Sequence, residues 1–203
     1  MPDAVTQAKW DKIAPNFDFM AGRGPEVRWK PFKQELFGHM DGKILFLALG
    51  TGLDIPTFPP GKDITAIDIS PRMIEQAQPR IAAYDGTIGA QVMDVHEMPF
   101  EPESFDQVYT SCTFCSVPNP VVGLKALYRV LKPGGRLFMF EHTGSRFYPF
   151  KNMMNLMTLL TQRLGPAMNR NTVGNVRAAG FKVTEVNNIF LDVVKTIKAV
   201  KPA

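Results

Sequence analysis

Between residues 44 and 141, apolar positions come in short unbroken runs separated by glycine, proline and polar residues. The first is Ile44-Leu45-Phe46-Leu47-Ala48-Leu49, closed by Gly50-Thr51-Gly52. A strand packed on both faces has this pattern, which belongs to a parallel sheet rather than to one wetted on a single side. Residues 64–69, 88–93, 105–111 and 136–141 repeat it, with Asp68 near the end of the second run and Asp94 just after the third. Ser70-Pro71 caps a helix to about residue 83, with proline at its first position. Residues 120–131 form another, stopped by Lys132-Pro133-Gly134-Gly135. A helix near 171–179 and strands at 181–186 and 190–200, paired as an antiparallel hairpin, finish the chain. Alternating strand and helix predicts right-handed crossovers and an α/β fold. The expectation is a Rossmann-like seven-stranded, mostly parallel sheet with helices on both faces.

Two segments break the rhythm. Residues 1–42 mix short helical patterns with Pro15, Gly22, Gly24, Pro25 and Pro31, and are expected to form an N-terminal helical cap on a single domain, 43–203. Trp10, Ile13, Phe17 and Met20 recur there at helical spacing, either as a membrane anchor or as a hydrophobic cap over a ligand, and Pro15 should break the helix. Residues 150–164 predict an amphipathic helix. Phe150, Met153, Met154, Met157, Leu160 and Leu164 share one face; Lys151, Asn152, Asn155, Thr158, Gln162 and Arg163 share the other, with Leu159 intruding.

Charge sharpens this picture. The net charge is +4, yet no acidic residue lies between Glu141 and Glu185, so the excess of base is concentrated in the last third. Such asymmetry favours a polyanionic partner, nucleic acid or an anionic lipid surface. No nucleic-acid motif is present, which leaves a membrane surface met by the basic amphipathic segments near 5–33 and 146–163. No apolar stretch is long enough to span a bilayer and the N-terminus lacks a signal-peptide core, so the expected location is cytoplasmic, peripheral to the inner membrane face. Cys112 and Cys115 cannot build a disulfide framework, and with three histidines no metal site is expected. Two small residues at a strand end is the better reading of the pair.

In open α/β sheets ligands sit beyond the carboxyl ends of the strands. Gly50-Thr51-Gly52 lets the backbone approach a ligand there. Asp68 can accept both hydroxyls of a ribose, and Asp94 can accept from an adenine amino group. The glycine loop is too short for a dinucleotide motif and lacks a phosphate-binding lysine, so a phosphate-free adenosine fits best.

These motifs resemble those of the class I S-adenosylmethionine-dependent methyltransferases related to the quinone-biosynthesis C-methyltransferases. Ala48-Leu49-Gly50-Thr51-Gly52 is similar to their first motif, Asp68-Ile69-Ser70-Pro71-Arg72-Met73-Ile74 to the ribose-binding motif, and Asp94 through Met98-Pro99-Phe100 with Ser104-Phe105-Asp106 to the adenine-binding stretch. Arg129-Val130-Leu131-Lys132-Pro133-Gly134-Gly135 is similar to the turn before strand five. The family's acidic residue, first glycine and cysteine of motif one stand here as Phe46, Ala48 and Leu49. The resemblance implies S-adenosylmethionine as cofactor, without metal, held by Ala48, Gly50, Thr51, Gly52, Asp68, Ile69, Met73, Met93, Asp94, Val95 and Ser111.

The segment from Tyr109 to Pro120, the pair Glu141-His142 and the start Trp10-Asp11-Lys12-Ile13-Ala14-Pro15 resemble a narrower group, the bacterial phosphatidylethanolamine N-methyltransferases. That implies a phospholipid substrate, methylated stepwise on its amine toward phosphatidylcholine. The alternatives are C-methylation of a polyprenyl quinone precursor or methylation of a small hydrophobic thiol. Glu141 and His142, at the end of strand five, are the candidate catalytic residues, His142 as the base and Glu141 as the carboxylate that orients the ammonium or the His.

Overall fold

The computed structural model describes residues 3–21, 23–161 and 167–203; Gly22, Gln162, Arg163 and Leu164, which figure in the sequence patterns, lie outside them. Seven strands form one sheet: β1 Ile44–Leu47, β2 Asp63–Asp68, β3 Thr87–Val92, β4 Phe105–Ser111, β5 Leu131–His142, β6 Lys182–Phe190 and β7 Val194–Val200. Their spatial order is β3-β2-β1-β4-β5-β7-β6. The first five run parallel, and β7 is antiparallel to both β5 and β6. This is the Rossmann-like arrangement, with the order reversing at β1 and β4, where a crevice opens beyond the strand ends.

The apolar runs are buried for the reason their pattern suggests. Ile44, Leu45, Phe46 and Leu47 are all covered, because helices pack on both faces of β1. On one face lie α5, Pro120–Val130, and α7, Thr172–Ala178, which contribute Leu124, Leu127, Val130 and Val176 to the core. On the other lie α3, Arg23–Phe37, and α4, Pro71–Ala82, with Leu36, Phe37 and Ala77. Phe46 belongs to this second core; its ring lies 5.7 Å from Phe37 and 4.9 Å from Phe58.

The cap is helical, as α1, Ala4–Ile13, a 3₁₀ turn at Ala14–Asn16, and α2, Phe17–Ala21, followed by α3. Pro15 ends α1, as its missing N–H requires. In place of short patterns interrupted by Gly24, Pro25 and Pro31, Arg23–Phe37 is one 15-residue helix that contains Pro31. Tertiary packing overrides local propensity here: Trp29 and Phe32 lie against the core, and Lys33 makes a buried 2.7 Å ion pair with Asp54.

The amphipathic helix exists as α6, Phe150–Thr161, but its packing face differs from the expected one. Met154 and Thr158 are the buried pair. The Thr158 hydroxyl donates to the Met154 carbonyl at 2.9 Å and accepts the Met168 amide at 3.0 Å, so a residue assigned to the polar face is covered. Phe150, Met153, Leu156, Met157 and Leu159 remain open to solvent.

Strand β1 ends abruptly. Ala48 has φ +58° and Gly50 φ +59°, both in the left-handed region that a side chain disfavours by about 1–2 kcal/mol. Ala48→Gly should therefore raise stability by about 0.5–1 kcal/mol after glycine's extra unfolded-state entropy is deducted, read as an increased denaturant midpoint with unchanged slope.

Candidate active site

A cavity of about 450 Å³ opens beyond the ends of β1, β2, β3 and β4, within the size range of small-molecule sites. Ala48, Gly50, Asp68, Ile69, Met73, Met93, Asp94, Val95, Ser111 and His142 all line it. Asp68 is its best-defined polar group. One carboxylate oxygen accepts the Gly50 amide at 2.8 Å and the other the Ser70 amide at 2.9 Å. A carboxylate offers about four acceptor sites, so two remain, the number a ribose diol needs. Burial raises the Asp68 pKa, opposed by these backbone hydrogen bonds.

Thr51 and Gly52 are placed differently from the expectation, since neither forms the cavity wall. The Thr51 hydroxyl donates to Asp18, and a Cβ on Gly52 would come within 2.8 Å of Ile55 and 3.3 Å of Ala77. Both support the loop; Gly52 does so by letting α4 approach. Asp94 is on the wall but already engaged. One oxygen accepts the His96 amide at 2.9 Å and faces the His96 ring at 2.7 Å; the other accepts the Asp3 amide at 3.0 Å. Desolvation would raise its pKa, but these hydrogen bonds outweigh it and hold it below the ordinary value. One acceptor position is left for an exocyclic amine.

Glu141 and His142 part company. His142 is on the wall, and its buried Nδ1 has no hydrogen-bond partner among the described residues. Desolvation lowers its pKa below 6.5, which keeps the ring neutral at pH 7. Glu141 has no exposed surface and does not reach the cavity. It accepts from the Thr110 hydroxyl at 2.7 Å and from the Thr113 and Phe114 amides at 3.2 and 3.1 Å. A direct role on a substrate in this cavity is corrected accordingly: its carboxylate is spent on the loop after β4. In that loop, the Cys115 thiol donates to the Cys112 carbonyl at 3.2 Å, and burial pushes its pKa up to about 12.

The cap closes the cavity from above. Trp10, Ile13, Phe17 and Met20 all line it, so this stripe forms the cover of the cavity. Three aspartates that the sequence reading passed over fasten this cover. The Asp3 amide meets Asp94; Asp11 accepts from the Ser70 hydroxyl at 2.6 Å; Asp18 takes Thr51 at 2.5 Å and Arg80 at 2.7 Å. Their signal was the recurrence of acids beside the apolar stripe. Isolated aspartates such as Asp3, Asp11 and Asp18 usually read as solvated surface, so the signal is faint.

The lining fits S-adenosylmethionine. Among the described lining residues there is no lysine or arginine to seat a phosphate, while two carboxylates stand ready for a ribose and an amine, and the Trp10 and Phe17 rings can face a sulfonium. Comparison with known proteins agrees. The family described as the methyltransferase domain matches residues 45–139. The chain belongs to the class I S-adenosylmethionine-dependent methyltransferases, and S-adenosylmethionine is its methyl donor.

Among curated relatives, the ubiquinone/menaquinone biosynthesis C-methyltransferase of Geotalea daltonii is 36% identical over 163 residues, 75% of this chain and 69% of that protein. The demethylmenaquinone methyltransferase of Renibacterium salmoninarum is 32% identical over 157 residues, 75% of this chain and 64% of that protein. In fold, an S-adenosylmethionine-dependent methyltransferase of Thermotoga maritima superposes with a TM-score of 0.68 at 16% identity, covering 97% of this chain and 99% of that one. These similarities overturn the expectation of phosphatidylethanolamine N-methylation. The short motifs behind it do reach the cavity, since Cys115, Ser116, Val117, Pro118 and His142 all line it, but a wall of these residue types does not name an acceptor.

Asp68→Asn should weaken S-adenosylmethionine binding about 10- to 100-fold, the worth of charge-assisted hydrogen bonds, by titration calorimetry. The wild-type affinity should be full above the Asp68 pKa and decline as pH falls through it. Because that pKa is raised, the decline begins at a higher pH than an ordinary aspartate would give, and Asp68→Asn should flatten it.

Proposed function

We propose that the protein transfers the methyl group of S-adenosylmethionine to a ring carbon of a polyprenyl quinone precursor in its reduced, hydroquinone form. The similarity over three quarters of the chain to proteins named for that C-methylation carries the reading. The acceptor side of the cavity supports it: Ile13, Met20, Val117 and Met168 offer an apolar wall suited to a prenylated ring.

The donor, when bound, supplies an electrophilic methyl carbon. The chain's own task is to position the acceptor and move a proton. A phenolic hydroxyl with a pKa near that of tyrosine, about 10, is ionised at roughly one part in a thousand at pH 7, a cost of about 4 kcal/mol. Neutral His142 takes that proton, which sends electron density onto the ring carbon that bonds to the methyl. The proton on that carbon then leaves to solvent, the ring regains its aromaticity, and protonated His142 returns its proton to the phenolate oxygen, so one net proton is released per methyl transferred. Desolvation that keeps His142 neutral also keeps it ready to accept.

We further propose peripheral contact with an anionic membrane, where such an acceptor resides, in place of the phospholipid-as-substrate partnership. No helix of the described residues is long and apolar enough to cross a bilayer. Phe147, Tyr148, Leu156 and Leu159 are exposed on and before α6, beside exposed Arg146 and Lys151. An apolar face flanked by base suits an interfacial helix, and each cation near an anionic leaflet adds about 1 kcal/mol.

With labelled S-adenosylmethionine and a demethylated, reduced prenyl-naphthoquinone in detergent, label should appear as a ring methyl; label appearing in phosphatidylethanolamine and not in the quinol rejects the reading. His142→Ala should slow transfer about 100-fold while calorimetric donor affinity stays within two-fold. The protein should sediment with phosphatidylglycerol-containing vesicles and lose that binding in high salt and in the Leu156→Glu, Leu159→Glu double variant; binding that ignores both changes refutes this surface.

A further inference from the structure

Glu141 accounts for three hydrogen bonds and no contact with the cavity. The question is what those bonds hold. Beyond β4 the chain must leave the sheet and turn back over its end. The Cys112 amide still donates to the Phe140 carbonyl at 2.7 Å, as a last rung of the ladder, and Cys112 then enters the left-handed region at φ +51°. After that the backbone has no strand to bond to. Thr113 and Phe114 direct consecutive amides at the two oxygens of Glu141, and the Thr113 hydroxyl donates to the Ser111 carbonyl at 3.2 Å. The turn closes as the Ser116 amide donates to the Thr113 carbonyl at 2.9 Å. Ser116, Val117 and Pro118 follow directly as cavity wall, and the Cys115 carbonyl accepts the Ala167 amide at 2.9 Å, next to Met168 in the same wall.

We propose that Glu141 is a positioning residue for methyl transfer: its ionised carboxylate clamps the loop after β4 so that residues 111–118 present the acceptor wall at a fixed distance from His142, the next residue along β5. Two amides and a hydroxyl converge on one carboxylate. A protonated carboxyl carries an O–H that must itself donate, and it cannot accept from all three groups with the same geometry. The clamp therefore loosens on protonation.

The charged and titratable groups around Glu141 are Cys112 and Cys115 on the clamped loop, Lys33 on α3 with its partner Asp54 after β1, and His142. Lys195 on β7 is its partner in register, with the ammonium donating to Asn188. Burial pushes the Glu141 pKa up to about 7, against the pull of its three hydrogen bonds. The sign has a distinctive result. A carboxyl whose pKa is raised by folding contributes most stability when protonated, below its ordinary value of 4.5, and loses that contribution as pH rises through about 7. Turnover should rise over the same interval in which folding stability falls.

The test uses the full chain. In wild type, the Thr113 and Phe114 amide resonances should titrate together with a midpoint near 7, and kcat should show an acid limb at that pH, above the one set by His142. Glu141→Gln should abolish the amide titration and that limb and lower kcat by about 10- to 100-fold, as expected for a small misplacement of reacting groups, with donor affinity within two-fold of wild type. Thr110→Val removes one donor to the ionised form and should move both midpoints to higher pH; it serves if Glu141→Gln does not fold. A limb near pH 7 that persists in Glu141→Gln, a lost donor affinity in that variant, or unmoved midpoints in Thr110→Val overturns the proposal. The kcat readout uses the quinol acceptor and so rests on the proposed function; the amide titration does not. A normal titration in a protein that leaves the quinol unmethylated would reject the acceptor and leave the clamp standing.

Discussion

A single carboxylate, that of Asp68, joins two of the loops that shape the cavity. It takes one amide from the turn after β1 and one from the helix start after β2. Both loops leave the sheet at strand ends where the ladder has run out, and the Asp68 carboxylate ties them to each other. Burying an aspartate is costly, and its raised pKa records that cost. The return is a rigid floor with two acceptor positions still open. The nearby Ala48, held at positive φ, shows the same trade of local strain for shape.

Electrostatics inside and outside the cavity follow different rules. The lining carries three aspartates, Asp3, Asp68 and Asp94, and no described lysine or arginine, a setting for a neutral nucleoside joined to a positive sulfur. The acids of the cap are used on the rim: Asp11 and Asp18 accept from Ser70, Thr51 and Arg80, while Asp3 caps its own helix and lends its backbone amide to Asp94. The base-rich final third supplies Arg146 and Lys151 at the surface. The uneven charge seen along the chain therefore separates in space into an acid-trimmed pocket and a basic exterior.

Most of the fold was legible because parallel strands must be apolar throughout and must end in turns that only certain residues make. The strands around Phe46, Ala66, Val108 and Met139 announce themselves in this way. So do Asp68 and Ser70, where strand end and helix cap coincide. Helix α3 was not legible: Pro31 argues against it locally, and only the packing of Trp29, Phe32 and Phe37 makes it form. The buried side of α6 was misread because Thr158 satisfies its hydroxyl at short range and can be covered like an apolar residue. In the site, side-chain type gave location but not direction. Glu141 and His142 are neighbours in sequence, yet one serves a loop and the other faces the cavity, and nothing in their order distinguishes them. The acceptor was the least legible of all, because an apolar wall accepts many apolar guests.

The three aspartates of the cap bear on how the molecule can be taken apart. Each holds a group that also shapes the donor's bed: Thr51 with Arg80, Ser70, and Asp94. A fragment beginning at β1 would keep every residue of the floor and lose the roof's grip on it. Its affinity for the donor would describe a different equilibrium from that of the whole chain, so dissection by truncation is the wrong scalpel for this protein.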